Sequence, residues 1–174
     1  PSFPEYSPAG VRRAVLEGGF ENAAVLVSGD TGFFSAAGKL AGAFPDFETR
    51  LLPGISSLCY LSAKLGLPWQ GAAIVSCHGR SANLADCVRR NALTFALTGG
   101  NVPELMGGLC TAGFGGLTVH VGTELGSENE RIYSATPSEL SENDPGSLSV
   151  LLIKNPAPDD RVRAGIADEE FIRG

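Results

Sequence analysis

The stretch VLVSGDTGFFSAAGKL, Val25–Leu40, reads as a buried strand that breaks at a turn and continues as a helix. The turn itself, Gly29-Asp30-Thr31-Gly32, carries one carboxylate and almost no side-chain bulk, with Phe33 and Phe34 directly behind it. A strand-to-helix turn of this kind commonly takes a phosphate, because open amides and the helix dipole favour anions. This one supplies its own negative charge and has no lysine, so it fits neither a Walker loop nor the G-x-G-x-x-G dinucleotide fingerprint. Its position puts Asp30 at the carboxyl end of a strand, where ligands bind in open α/β sheets. Glycines at 29 and 32 let a ligand approach the backbone closely. The carboxylate can accept from an ammonium or a hydroxyl, and the same pattern also suits a plain turn with an aspartate cap.

Working outward, LLPGISS (Leu51–Ser57) repeats the device: a strand end, a glycine turn, and Ser56-Ser57 capping a helix striped by Leu58, Leu61 and Leu65. The two turns are expected at one end of one sheet. Ser7-Pro8 opens an earlier helix, with Val11, Ala14 and Val15 on its apolar face and Gly18-Gly19 ending it. NAAVLVSG, FETRLLPG and AAIVSC read as three strands, and Phe34–Leu40 as helical. Strands alternating with helices predict a parallel sheet with right-handed crossovers. Further on, Leu84, Cys87 and Val88 stripe a helix, LTFALTG is a strand, and Pro103–Ala112 is a helix stopped by Gly113. LTVHVG, ERIYSA and SLSVLLIKN are strands, the middle one antiparallel, while GTELGSEN and SENDPG read as exposed loops. The expected division is a parallel-sheet α/β domain over 1–78, a mixed-sheet α/β domain over 79–156, and a linker or tail over 157–174, rich in charge and proline.

The 174 residues are 43% hydrophobic and 18% charged, which suits one globular domain or two small ones. A formal charge of −6 argues against a nucleic-acid footprint, since phosphate backbones call for a clustered basic face. It leaves room for an anionic small molecule held by a few local arginines. No apolar run approaches the ~18–20 residues that a membrane span needs, and no signal peptide is visible, so the expectation is a cytoplasmic protein. The four cysteines, at 59, 77, 87 and 110, form no C-x-x-C pair, which favours reduced thiols over a zinc site or a disulfide framework.

SCHGRS sets His78 and Arg80 just after the third strand. Cys77 and His78 are neighbours on a strand and face opposite ways, so they do not make a nucleophile–base pair; Cys77 reads as core. Arg80 can hold a carboxylate through two parallel bonds. His120 lies within a strand and reads as structural.

VLVSGDTGFFSAAGKL, LLPGISSLCYLSAKLGLPW, SCHGR, TGGNVPEL and GTELGSENERI, in that order, resemble the tetrapyrrole methylase family over nearly the whole chain from Val25. GLPW followed by HGR points to the branch that methylates carbon 5 of precorrin-6Y or its cobalt-bound relative. The resemblance implies a two-domain α/β fold, usually homodimeric, with S-adenosylmethionine in the cleft between the domains. A zwitterionic methionine end and a nucleoside contain no phosphate, which suits an acidic glycine turn. Carried over by motif, Gly29, Asp30, Thr31, Gly32, Phe33, Ser56 and Ser57 line the cofactor, and Leu97, Thr98 and Thr123 contribute from the second domain. His78 and Arg80 fall to the precorrin substrate, with Arg89, Arg90 and Arg131 as further partners for its carboxylates.

The chain departs from the family pattern at two places. Thr31 stands where the family most often has proline. Nothing matches the opening strand and G-x-G-P-G loop that help shape the substrate cleft, so the expectation is a piece of a longer enzyme with little activity alone. The ending IADEEFIR resembles the junction to a decarboxylating methyltransferase domain in fused homologues. Methyl transfer from a sulfonium needs alignment more than acid–base help, in keeping with the absence of any triad motif. No metal is expected. Rival readings are a ribosomal-RNA ribose methylase or a diphthine synthase within the family, and a non-catalytic cofactor- or tetrapyrrole-binding module outside it.

Overall fold

A computed structural model describes residue 2 and residues 4–77 and 83–159. His78, Arg80 and most of the expected tail lie outside the described residues. The chain divides into two compact units, Pro1–Tyr60 and Leu61–Gly174.

In the first unit, α1 (Pro8–Gly18) begins as its sequence dictates. Ser7 accepts the Gly10 amide at 3.1 Å, Pro8 occupies the first turn, and Gly19 ends the helix in the left-handed region at φ 61°. A short α2 (Ala37–Gly42) follows, somewhat later than the pattern over Phe34–Leu40 predicts. Arg12 of α1 reaches the Ala43 carbonyl at 2.9 Å and Asp46 at 3.0 Å, tying the two helices together. α3 (Ser57–Leu65) starts at the end of this unit, with the Ser56 hydroxyl accepting the Cys59 amide at 3.1 Å. Leu58 and Leu61 of its predicted stripe are buried.

Two predicted strands need correction. Neither NAAVLVSG nor FETRLLPG forms a ladder strand among the described residues. The first is an apolar run whose composition favours burial on two faces, yet its Leu26 is 93% exposed, and Leu52 of the second is 74% exposed. A strand is a paired object, and composition alone does not supply the partner.

The second unit carries a five-stranded sheet in the order β1-β2-β5-β3-β4. β1 (Ala73–Ser76) runs parallel to β2 (Leu93–Leu97), with α4 (Leu84–Arg90) between them in the chain and packed on both. The remaining pairs, among β3 (Thr118–Thr123), β4 (Arg131–Ala135) and β5 (Ser149–Lys154), are antiparallel, as is β2 with β5. Of the three strands expected for a parallel sheet in the first half, AAIVSC alone forms a ladder among the described residues, and its parallel partner is a strand of the second half. Three successive buried residues, Thr94-Phe95-Ala96 on β2 and Leu151-Leu152-Ile153 on β5, show that these central strands are covered on both faces. α5 (Val102–Thr111) sends Val102, Met106 and Leu109 into the same core, which Val88, Val119, Val121 and Leu140 complete.

One helix escaped the sequence reading. α6 (Pro137–Glu142) takes in the first two residues of the expected SENDPG loop and packs on α5. Its signal is a capping box: Thr136 accepts the Glu139 amide while the Glu139 carboxylate accepts the Thr136 amide at 2.7 Å. The T-x-x-E spacing of Thr136-Pro137-Ser138-Glu139 displays it in the sequence.

Candidate functional site

The first unit brings its two glycine turns into direct contact. Asp30 does this with both carboxylate oxygens. Oδ1 accepts the Gly32 amide at 2.8 Å, closing the turn on itself, and Oδ2 accepts the Gly54 amide at 3.0 Å, reaching across to the second turn. The Thr31 hydroxyl adds a parallel link by donating to the Leu52 carbonyl at 3.0 Å. The Phe33 amide donates to the Asp30 carbonyl at 3.1 Å, and the Phe33 and Phe34 rings meet edge to face at 5.1 Å.

Two glycines permit this approach. Gly29 lies at φ 74°, which side-chain-bearing residues rarely adopt, and a Cβ added to Gly54 would overlap the Gly29 carbonyl oxygen. The other side of Gly29 is open: the nearest atom to a Cβ built there is the Ile55 carbonyl, 3.9 Å away. Ser56 is buried and committed to capping α3, and Ser57 is the first residue of that helix. Thus Gly29–Phe33 and Ser56-Ser57 form one continuous feature, with exposed backbone on the Gly29 side.

The second unit gathers its own predicted residues at one edge of the sheet. Thr98 follows β2 and donates its hydroxyl to the Ser149 carbonyl at 2.6 Å. Ser149 stands opposite Thr123 in the ladder, and Thr123 stands opposite Arg131. Thr98, Ser149 and Thr123 are all buried, and the Thr123 hydroxyl has no hydrogen-bond partner among the described residues. A buried hydroxyl left unpaired is unfavourable in the free protein. Ser149 was not foreseen, because register is invisible until strands are paired.

Beyond this edge, GTELGSEN is an exposed loop from Glu124 onward, and specific contacts hold it. Glu124 adopts φ 49°, and the Glu130 carboxylate accepts the Gly126 amide at 2.7 Å while pairing with Lys64 at 2.9 Å. The TGGN turn is likewise tied down. Asn101 accepts the Gly99 amide at 3.1 Å and donates to the Cys77 carbonyl at 3.4 Å, fixing the chain just before His78. Arg89 and Arg90 do not join this cluster. They close α4 beside the start of β2, at the opposite end of a strand ~17 Å long, where Arg90 pairs with Asp86 at 2.9 Å and Arg89 stacks 5.8 Å from the Phe114 ring.

Electrostatics argue against nucleophilic chemistry at the thiols. Burial pushes the Cys77 thiol above its ordinary value, and Cys87 likewise, so both stay protonated near neutral pH. Burial, with Lys154 nearby, holds His120 below its usual range, and its Nδ1 lies 2.7 Å from the Ser134 hydroxyl. Among the described residues, no group of three metal-ligating side chains occurs and no helix is long and apolar enough to cross a membrane.

The chain matches the model of the tetrapyrrole (corrin/porphyrin) methylases over residues 11–141. It is 30% identical over 110 residues to a cobalt-precorrin-7 C(5)-methyltransferase of Salmonella typhimurium, covering 63% of this chain and 55% of that protein. It is 35% identical over 114 residues to a decarboxylating precorrin-6Y C(5,15)-methyltransferase of Sinorhizobium, covering 62% of this chain and 27% of that protein. The chain thus spans about half and about a quarter, respectively, of these relatives. Among solved structures, the precorrin-6Y methylase of Archaeoglobus fulgidus superposes with a TM-score of 0.64 at 21% identity, over 89% of this chain and 74% of that one. A uroporphyrin-III C-methyltransferase of Thermus thermophilus, complexed with S-adenosyl homocysteine, superposes with a TM-score of 0.67 at 20% identity, over 84% and 73%. The α/β fold is that of these methylases, and the match spans well over half of the sequence: the chain belongs to the tetrapyrrole methylase family.

Proposed function

We propose that this chain takes part in methyl transfer from S-adenosylmethionine to a precorrin, at carbon 5, in cobalamin biosynthesis, as a cytoplasmic enzyme. The observation that carries the reading is the pair of glycine turns held together by Asp30, in a chain that belongs to this family. The two curated relatives, both named for methylation at carbon 5, support the branch. The turns fit the cofactor chemically. They hold no lysine or arginine for a phosphate, and Gly29 presents open backbone to which a nucleoside or an amino-acid end can hydrogen-bond. On its own evidence, the unpaired Thr123 hydroxyl makes Thr123, with Leu97 and Thr98 beside it at that sheet edge, a second proposed cofactor contact.

S-adenosylmethionine supplies a methyl group already activated on a sulfonium. What remains for the protein is to hold donor and acceptor in line and to keep water away. In that division of labour, Gly29–Phe33 and Ser56-Ser57 orient the donor through backbone contacts. His78 and Arg80 are proposed for the carboxylate-rich acceptor, and Arg131, which stands opposite Thr123 in the ladder, is proposed to assist them. The cleft, the homodimer and a fused decarboxylating partner domain belong to the same proposal.

Titration with S-adenosylhomocysteine, followed by amide chemical shifts, tests the cofactor reading. Shifts centred on Gly29, Asp30, Ser56 and Thr123 are expected. Binding that leaves the amides of both turns unmoved would overturn it. Transfer of a labelled methyl group to a precorrin, compared with transfer to ribosomal RNA, decides the acceptor.

A further inference from the structure

We propose that the Asp30 carboxylate is a clamp that sets the spacing of the two turns, and that it governs cofactor affinity through their backbone without touching the ligand. The inference rests on the cofactor reading above and specifies how that site is built. A carboxylate in a ligand site is ordinarily read as a ligand contact. Here each oxygen already holds an amide: Gly32 at 2.8 Å within its own turn, and Gly54 at 3.0 Å, 24 residues away. The two bonds are charge-assisted and converge on one short, stiff side chain.

The surrounding contacts show why the spacing matters. Gly54 lies so close to the Gly29 carbonyl that not even a methyl group fits between them. The Thr31 hydroxyl ties the same two segments a second time, through the Leu52 carbonyl. Neither flanking segment is held by a ladder among the described residues, so sheet pairing does not fix their distance. The clamp therefore stands in for a ladder at this point. Opening it would separate the turns and move the exposed Gly29 backbone. Asparagine is a poor substitute, because its amide nitrogen would present a donor to one of the two backbone N–H groups.

The test uses the full chain and two readouts. Amide hydrogen exchange reports the clamp directly, and calorimetry with S-adenosylhomocysteine reports its effect. In Asp30→Ala, exchange at Gly32 and Gly54 should accelerate together, while Phe95 and Val121 in the sheet stay protected. Affinity should fall on the order of tenfold, the scale of losing a charge-assisted bond in a partly exposed place. Gly54→Ala leaves the carboxylate intact but forces the turns apart, and should lose affinity to a similar degree. Asp30→Asn should free one of the two amides and fall between wild type and Asp30→Ala.

Gly54→Ala binding as wild type while Asp30→Ala binds weakly would mean that the carboxylate contacts the ligand, and would overturn the clamp. Unchanged exchange at Gly32 and Gly54 in Asp30→Ala would overturn it too. If wild type fails to bind S-adenosylhomocysteine, the cofactor reading falls, and the exchange data still decide whether the clamp exists. If Phe95 and Val121 lose protection in Asp30→Ala, the milder Asp30→Asn and Gly54→Ala variants carry the decision.

Discussion

The central apolar runs of the second unit, in β2 and β5, are ladder strands with both faces buried, whereas the apolar run ahead of Gly29 in the first unit is exposed. SVLLIK becomes β5, flanked on each side and buried at Leu151, Leu152 and Ile153. AAVLVS, equally apolar, leaves Val25 and Leu26 open to solvent. The difference lies in pairing: β5 has two neighbours to satisfy its backbone and cover its side chains, and the earlier run has none among the described residues. In its place the first unit uses side chains, with one aspartate and one threonine joining segments that a ladder would otherwise join. A ladder spreads its stability over many bonds. The turn pair concentrates it in a few, and is correspondingly easy to break.

The largest effect expected from this contrast is a pair of truncations. Phe95 is fully buried at the centre of β2, so Phe95→Ala should cost about 3–5 kcal/mol, read by denaturant unfolding of the chain. Leu26→Ala removes a similarly apolar group but should change stability by no more than about 0.5 kcal/mol. A Leu26→Ala cost approaching that of Phe95→Ala would show that this run is buried in the protein in solution, and would erase the distinction between the two regions.

What could be read from the sequence follows the same line. Local signals were legible: Ser7-Pro8, Ser56 and Gly19 act as caps where their types predict, and Leu58 and Leu61 of the α3 stripe and Leu84 and Val88 of the α4 stripe are buried. The capping box at Thr136 was equally local and went unread, so α6 was missed. Non-local facts were not accessible. Whether NAAVLVSG pairs, and which strand AAIVSC lies beside, depends on partners that no single run specifies. Of the proposed site residues, both glycine turns were legible in the residues themselves, because turn chemistry is local, whereas Thr98 and Thr123 came only from the family resemblance. It offered nothing on Ser149, nor on the Asp30 carboxylate reaching Gly54 across 24 residues. Arg89 and Arg90 were drawn in by charge alone, and topology places them at the far end of the sheet.

A smaller effect sharpens the picture of the buried edge. Thr98 donates to the Ser149 carbonyl at 2.6 Å within the core, and Thr98→Val keeps the shape while removing the donor. The expected cost is about 1–3 kcal/mol by denaturant unfolding, because a buried carbonyl loses a partner. Acid should weaken the same sheet through His120. Burial lowers its folded value below the ordinary 6.5, so the unfolded chain binds the proton more readily. Stability from this group is full above 6.5 and declines as pH falls from there toward the lower folded value. His120→Gln should flatten the unfolding midpoint over that window, and an unchanged slope would assign the pH dependence elsewhere.

The smallest expected effect is at Thr123, directly across Ser149 from Thr98. Its hydroxyl is as buried as that of Thr98, but it has no partner among the described residues. Thr123→Val therefore removes a polar group that gains nothing in the free protein, and stability should change by less than about 1 kcal/mol, in the stabilising direction. The hydroxyl is retained at a cost, which makes sense if a ligand supplies the missing partner. The same variant should then lose part of the thermal stabilisation that S-adenosylhomocysteine gives wild type, since a ligand stabilises only through its affinity for the folded state. Measuring melting with and without the ligand, for Thr98→Val and Thr123→Val side by side, separates the two hydroxyls. Thr98→Val should lower the melting temperature in both conditions by the same amount if its role is confined to Ser149. Thr123→Val should leave the free protein at least as stable as wild type and narrow the gap between the two conditions. A Thr123→Val variant as destabilised as Thr98→Val, with the ligand effect intact, would mean that the hydroxyl is already satisfied within the protein and has no part in the site.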